Sequence, residues 1–182
     1  QLYVLSETGL IVVDAKEQKL LTIGSQAPTP EPAASNTAPA AQAAPTFAGD
    51  FDVDASGQIY IADRAANLIV VYSPDGSRLR SVPVNSPLSI AALPDGEVAV
   101  ATLRYPYLVR VFDKNGREIR EFGELEDISD HADLNRYLNI GYLASNARGD
   151  IVYGFIFTPE PTVRQFDRNG YATQIIQFTE ID

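Results

Sequence analysis

The chain has 182 residues, 45% of them hydrophobic, enough to bury the core of one domain. It carries 24 acidic residues against 14 basic ones, a net charge of −10, and its Lys and Arg are scattered rather than gathered in a stripe, so nucleic-acid binding is not expected. It has no Cys, which excludes disulfides, thiolate nucleophiles and Cys-ligated zinc, and no apolar run approaches the roughly 20 residues that cross a bilayer, so membrane insertion is not expected.

Residues 1–24 read as part of a repeating unit, with Gln1-Leu-Tyr-Val-Leu5, Leu10-Ile-Val-Val-Asp14 and Lys19-Leu-Leu-Thr-Ile23 as three short strands. Residues 25–46 are a different polymer, rich in Pro and Ala and without a bulky apolar side chain. Such a segment cannot offset its ordering entropy and is expected to be a disordered insertion, with docking of its Pro-rich stretch into a partner groove as the less favoured reading. Residues 47–84 hold the clearest copy of the unit, with strands a to d expected at 51–54, 58–62, 68–72 and 78–82. Residues 85–123 hold the next, at 88–93, 97–102, 108–112 and 118–122. An acidic insertion fills 124–137, with a short helical stretch capped by Ser129 or Asp130. Residues 138–182 hold the last copy, at 140–144, 151–157, 162–166 and 172–178.

Two sets of glycines mark the period. Gly57, Gly96 and Gly149 precede strand b, spaced by 39 and 53 residues, and Gly76, Gly116 and Gly170 precede strand d, spaced by 40 and 54. Both spacings grow by 14 at the same step, which locates a single insertion at 124–137. The Asp75-Gly76, Asn115-Gly116 and Asn169-Gly170 pairs are the residues that reach positive φ at low cost in tight turns. A period near 40 residues built of short strands and Gly turns is how a β-propeller reads in one dimension. The expected fold is therefore all-β: a single domain over 1–182, a propeller of four-stranded antiparallel blades. Ile59, Ile61, Val98, Val100, Val152, Tyr72, Phe112 and Phe166 are expected to pack between blades. The first copy opens at strand b, and a fan of fewer than four full blades leaves two apolar faces open. The propeller is thus expected to be incomplete, about four blades of a six-bladed ring.

Gly57-Gln-Ile-Tyr-Ile-Ala-Asp63-Arg-Ala-Ala-Asn67-Leu-Ile-Val-Val-Tyr-Ser-Pro-Asp-Gly76 resembles the NHL repeat of six-bladed β-propellers. In that motif a strand ending in Asp is followed by a small Asn-containing loop, a hydrophobic strand and an Asp/Asn-Gly turn. The chain departs from it at Leu68, where the family usually has a basic residue, and at Thr102-Leu103 and Phe157-Thr158, where the Asp would fall. The resemblance implies an exported bacterial propeller, extracellular or periplasmic. The family includes peptide-amidating lyases, receptor sensor domains, RNA-binding proteins and adhesion modules, so the fold does not name a function. No position here matches the metal-binding or acidic residues that related lactonase-type propellers bring to their central channel.

Propeller topology places b–c and d–a connections on one side of the ring, and loops on a rigid scaffold are where binding residues collect. The expected ligand-binding set is Arg64, Asn67, Arg104, Tyr105, Tyr107 and His131. The Arg104-Tyr-Pro-Tyr107 tip has the residue types that dominate hot spots. Asp63 is expected to pin its own loop through backbone N–H groups, and Arg110 and Arg164 to point outward as solvated charges. The acids of 124–133, with the single His131, could hold calcium or a transition metal, but the spacing matches no EF-hand, and a solvated acidic loop is the better reading. The favoured function is a non-catalytic binding or scaffold module for a protein, peptide or glycan, with no catalytic residue, metal or cofactor. The alternative is a propeller hydrolase or lyase whose metal-binding residues lie partly outside this chain.

Overall fold

The computed structural model describes residues 1–6, 9–13, 16, 19–23, 48–103 and 106–178. The insertion expected to be disordered over 25–46 lies outside them. In chain order, β1 (Leu2–Ser6), β2 (Gly9–Val13) and β3 (Lys19–Ile23) form a three-stranded sheet. Three four-stranded blades follow: β4 (Ala48–Val53), β5 (Ile59–Asp63), β6 (Leu68–Tyr72) and β7 (Arg78–Pro83); β8 (Pro87–Ala92), β9 (Val98–Thr102), β10 (Tyr107–Phe112) and β11 (Glu118–Glu124); β12 (Gly141–Ser145), β13 (Ile151–Phe155), β14 (Thr162–Phe166) and β15 (Ala172–Gln177). Neighbouring strands pair antiparallel throughout. Helix among the described residues is a 3-10 turn, Pro94–Gly96, and α1 (Ala132–Leu138). The chain is an all-β propeller of antiparallel blades.

The repeat is kept in the register. Leu2 faces Val13, Ile59 faces Tyr72, Val98 faces Phe112 and Ile151 faces Phe166. The pairing of strands c and d slips at that same residue every time, between Val12/Val13, Val71/Tyr72, Val111/Phe112 and Gln165/Phe166. A bulge there bends the outer strand into its turn. The turns themselves are built alike: Asp113 Oδ1 accepts the N–H groups of Asn115 and Arg117, and Asp167 Oδ1 those of Asn169 and Tyr171. Gly76, Gly116 and Gly170 follow with φ of 86°, 80° and 93°, a region that favours glycine.

Because side chains alternate across a strand, each blade has a leading face toward the next blade and a trailing face toward the previous one. Tyr60, Ala62, Ile69 and Val71 lead from the second blade and pack on Ile90, Val98, Val100 and Phe112, which trail from the third. Ala99, Ala101, Val109 and Val111 lead from the third and pack on Ile151, Tyr153, Phe155 and Phe166 of the fourth. Leu10 leads from the first sheet and packs on Ile59, Ile61, Val70 and Tyr72. The expected packing of Ile59, Ile61, Val98, Val100, Tyr72, Phe112 and Phe166 between blades is found. Volume is traded from one interface to the next, since the large Tyr60 leads against Val98 and Val100, whereas the small Ala99 and Ala101 lead against Tyr153 and Phe155. Each large apolar side chain buried there contributes roughly 1.5–3 kcal/mol. Val152 is different: it leads from the fourth blade, the last of the chain, and is half-buried.

The first strands of successive blades are also joined by polar bonds about one repeat long. Asp50 Oδ2 accepts from Ser89 Oγ at 2.7 Å and from the Ile90 N–H at 3.0 Å, and Asp52 Oδ2 accepts the Ala92 N–H at 2.8 Å. Ser89 Oγ in turn accepts the Leu143 N–H at 2.9 Å, and Ser145 Oγ donates to the Ala92 carbonyl at 2.7 Å. These bonds hold β4, β8 and β12 at a fixed stagger.

The acidic insertion is folded rather than simply solvated. Asn139 Oδ1 accepts the Glu126 N–H, its Nδ2 donates to the carbonyls of Glu126 and Asn135, and Asn135 Oδ1 accepts the N–H groups of Ile128 and Ser129. Ser129 is thereby held in the extended lead-in, so the helix starts later than the sequence suggests. Its N-cap is His131, not Ser129 or Asp130, and Ser129 Oγ accepts the His131 N–H. Tyr137 stacks on Phe157 with centroids 5.7 Å apart, and the buried Tyr153 hydroxyl donates to the Asn139 carbonyl at 2.7 Å. A Cβ on Gly141 would sit 2.4 Å from the Gly154 carbonyl oxygen and from the Tyr153 ring, so only glycine lets β12 close on that tyrosine.

Arg110 and Arg164 also depart from expectation. Their side chains are 16% and 14% exposed. Arg110 pairs with Glu118 and covers the Phe112 ring; Arg164 pairs with Glu126, donates to the Glu124 carbonyl and covers the Phe155 ring. A guanidinium is weakly hydrated and stacks on aromatic faces, and Phe112 on the same strand as Arg110 and Phe155 on the strand beside Arg164 supply such faces.

Candidate functional site

The b–c and d–a connections share one side of the propeller, and the a–b and c–d turns share the other. On the first side, Asp63 is buried at the end of β5 and its Oδ1 accepts the Ala66 N–H at 2.9 Å, pinning its loop as expected. Asn67 closes that loop with φ of 56°. Its Oδ1 accepts the Ser86 N–H at 2.7 Å and its carbonyl accepts the Val84 N–H at 3.0 Å. The Ser86 carbonyl accepts the Leu103 N–H at 3.2 Å. The main chain of Ser86 therefore joins the loop of Arg64 and Asn67 to the connection leading into β10. Sequence reasoning missed Ser86, because nothing local marks a serine whose main chain is the joint.

Arg64 is exposed, and Tyr107, the first residue of β10, is 37% exposed. Arg104 and Tyr105 lie outside the described residues. His131 stands on the separate segment that Asn139 and Tyr137 hold against the fourth blade. Of the expected set, Arg64 and Asn67 sit on one loop, which Ser86 ties to Leu103 before β10, where Tyr107 stands; Asn67 works as a structural clamp. The segment 124–137 does meet the Thr158–Pro161 loop, as the topology implies. Between them lies a cavity of about 340 Å³ lined by Glu126, Asp127, Thr158, Glu160, Thr162 and Gln177.

A larger cavity, about 630 Å³, opens on the opposite side, where Asp52, Asp54, Ser56, Arg80, Lys114 and Asn146 are among its walls. The signal for it was present in the sequence: Asp50, Asp52 and Asp54 alternate along strand a and so share one side of it. Their carboxylates are already engaged. Asp54 Oδ1 accepts from the N–H groups of Ser56 and Gln58 and from Ser56 Oγ, and its Oδ2 accepts from the Tyr60 hydroxyl. Burial pushes Asp52 above the usual carboxylate range, opposed by the N–H groups of Ala92 and Val53 and reinforced by the negative charges of Asp50 and Asp54. Burial and the charge of Asp54 push Tyr60 up to about 12. Among the described residues, no three His, Cys, Asp or Glu side chains gather in a group that could hold a metal ion.

No family model matches the chain, and no curated protein matches it. Solved structures do. A streptogramin B lyase superimposes with a TM-score of 0.57 at 12% identity, covering 94% of this chain and 48% of that one. Virginiamycin B lyase from Staphylococcus aureus gives 0.56 at 10% identity, covering 97% and 50%. A protein of unknown function from Bacteroides caccae gives 0.59 at 13% identity, covering 97% and 58%. At these identities the likeness is one of fold. The chain spans about half the length of the propellers it matches.

Proposed function

We propose that the chain belongs to an NHL-like, six-bladed bacterial propeller acting outside the cytoplasm as a non-catalytic binding or scaffold module. The observation that carries this reading is the state of the carboxylates beside the larger cavity. Asp50, Asp52 and Asp54 all accept backbone N–H groups, so they work as parts of the frame. On the other side of the propeller Arg64 is exposed and Tyr107 is 37% exposed, and in sequence Arg104 and Tyr105 come just before Tyr107. Arg and Tyr there suit a protein, peptide or glycan surface, because they bring large contact area at low entropic cost.

Binding of peptide and glycan arrays by the wild type and by Tyr105→Ala/Tyr107→Ala tests this. Melting temperature should stay within a few degrees, as for surface changes of about 0.5 kcal/mol each. Capture should weaken at least tenfold, about 1.4 kcal/mol. An unfolded double variant would make the tyrosines core residues, and a folded variant with full capture would move the site elsewhere.

A hydrolase or lyase with metal-binding residues partly outside this chain is the second reading. It draws on the lyase names of two of the matching structures and on the raised Asp52 carboxyl beside the 630 Å³ cavity. Lyase activity on streptogramin B, lost in Asp52→Asn, would favour it over the binding module.

A further inference from the structure

Arg80, Arg110, Arg120 and Arg164 each have a buried Nε that makes no hydrogen bond. Three of them end on a carboxylate: Arg110 on Glu118, Arg120 on Glu97 and Arg164 on Glu126. Arg80 is the exception, although it stands at the repeat position of Arg120. Each faces a valine of its blade's third strand, Val71 and Val111. Glu97 directly precedes β9, and the same place before β5 holds the neutral Gln58. Without that acid the half-buried Arg80 reaches into the next blade. Its Nη2 donates to the Gly96 carbonyl at 3.2 Å, and its guanidinium lies 5.8 Å from the centre of the Tyr60 ring. Among the described residues no carboxylate forms an ion pair with it.

Arg80 lines the 630 Å³ cavity, and Lys114 lines it beside the same turn, where a Cβ on Gly96 would lie 3.4 Å from that of Lys114. Lys114 is exposed and forms no ion pair among the described residues. The other polar walls are committed. Asp54 accepts from four donors, and Asp52 accepts the N–H groups of Ala92 and Val53. Ser145 donates to the Ala92 carbonyl, the Asn146 side chain is held by its own turn, and Asp95 reaches Arg168 at 3.8 Å. The charged walls without an acidic or basic partner or a backbone anchor of their own blade are thus the two cations. We propose that the cavity binds an organic carboxylate, its charged end between Arg80 and Lys114 and its apolar body against Val53, Leu93 and Pro94. The planar fork of Arg80 matches a carboxylate, and the volume falls within the roughly 300–1,000 Å³ of small-molecule sites. The nearby charges of Asp54 and Asp95 favour a singly charged ligand over a phosphate dianion. Every wall belongs to the second, third or fourth blade, on the side of the propeller opposite Arg64, so this site stands apart from the loop surface.

Titration calorimetry of the 182-residue chain tests this, with circular dichroism melts as the folding control. The probes are hexanoate, an acetylated tripeptide of two alanines and a leucine with a free C-terminal carboxylate, the same tripeptide as its amide, and inorganic phosphate. At least one carboxylate probe should saturate a single site per chain, and the amide and phosphate should bind at least tenfold more weakly than that probe. Tighter hexanoate would assign the site to free organic acids, and a tighter tripeptide would assign it to peptide C-termini. Lys114→Gln changes an exposed side chain, so it should fold normally and weaken the carboxylate probe at least tenfold. Gln58→Glu supplies the acid that Arg120 already has in Glu97, and by seating it on Arg80 should weaken the probe to a similar degree. Three results would each overturn the proposal: no saturation by either carboxylate, amide or phosphate binding as tightly as the carboxylate, or folded Lys114→Gln and Gln58→Glu variants that bind like the wild type.

Discussion

Asp113 and Asp167 occupy equivalent positions in two successive outer turns, and both carboxyls are held below the usual carboxylate range. The largest cause is the backbone N–H of Arg117 in one and of Tyr171 in the other. Asp75 is lowered too, first by the Ser73 hydroxyl. A carboxyl whose pKa is lower in the folded chain than in the unfolded one stabilises the fold at neutral pH. That contribution is complete above the unfolded value near 3.9 and is lost as pH falls through the folded value. Asp113→Asn/Asp167→Asn keeps an oxygen for the same N–H groups but cannot titrate, so its melting temperature should fall less steeply than the wild type's between about pH 5 and pH 2. An unchanged slope would place the acid sensitivity elsewhere. At this scale the sequence was readable where chemistry is local. Positive φ at Gly76, Gly116 and Gly170 and the loop-pinning role of Asp63 follow from neighbours a few residues away. The pairing of Arg164 with Glu126 does not, because its partner lies 38 residues back along the chain.

The acidic insertion shows the same division for an element. Its length and position were fixed by the glycine spacing, but its internal order hangs on two asparagines with no distinguishing context. Asn139 is buried and makes one accepted and two donated bonds, and its carbonyl receives the Tyr153 hydroxyl. Asn139→Ala leaves the Glu126 N–H and carbonyl without these partners, at a cost of about 1–3 kcal/mol. Thermal melts of that variant should show the loss, together with faster proteolysis within 124–137. Proteolysis unchanged from the wild type would mean that Tyr137 and Phe157 suffice to hold the segment.

For the whole molecule, blade architecture was legible because the turn glycines and the alternating strands repeat along the chain. The fit between blades was not, because volume is matched across residues from 38 (Tyr60 to Val98) to 54 (Ala99 to Tyr153) positions apart. Ala101 and Gly154 are the sharpest comparison, being the same repeat position with opposite surroundings: Ala101 is buried, and a Cβ built on Gly154 meets nothing within 4 Å. Ala101→Leu should overpack the interface holding Phe155 and cost about 1–3 kcal/mol. Gly154→Leu, at low protein concentration, should leave the melting temperature of the isolated chain within a degree or two, the range of a surface change of about 0.5 kcal/mol. Equal losses at the two sites would mean that the fourth blade's leading face is covered within the chain.

The ties between first strands reach mostly for the main chain: Asp50 and Asp52 take amides of β8, Ser89 takes an amide of β12, and Ser145 returns to a carbonyl of β8. Any blade offers such groups, whatever its side chains, so these ties set spacing but are blind to a neighbour's identity. Identity is written in the apolar layer, where Tyr60 needs small partners and Tyr153 needs the alanines of the third blade. A chain with its blades permuted would keep the stagger and lose the fit. The order of blades, as distinct from their number, therefore rests mainly on steric matching in that layer.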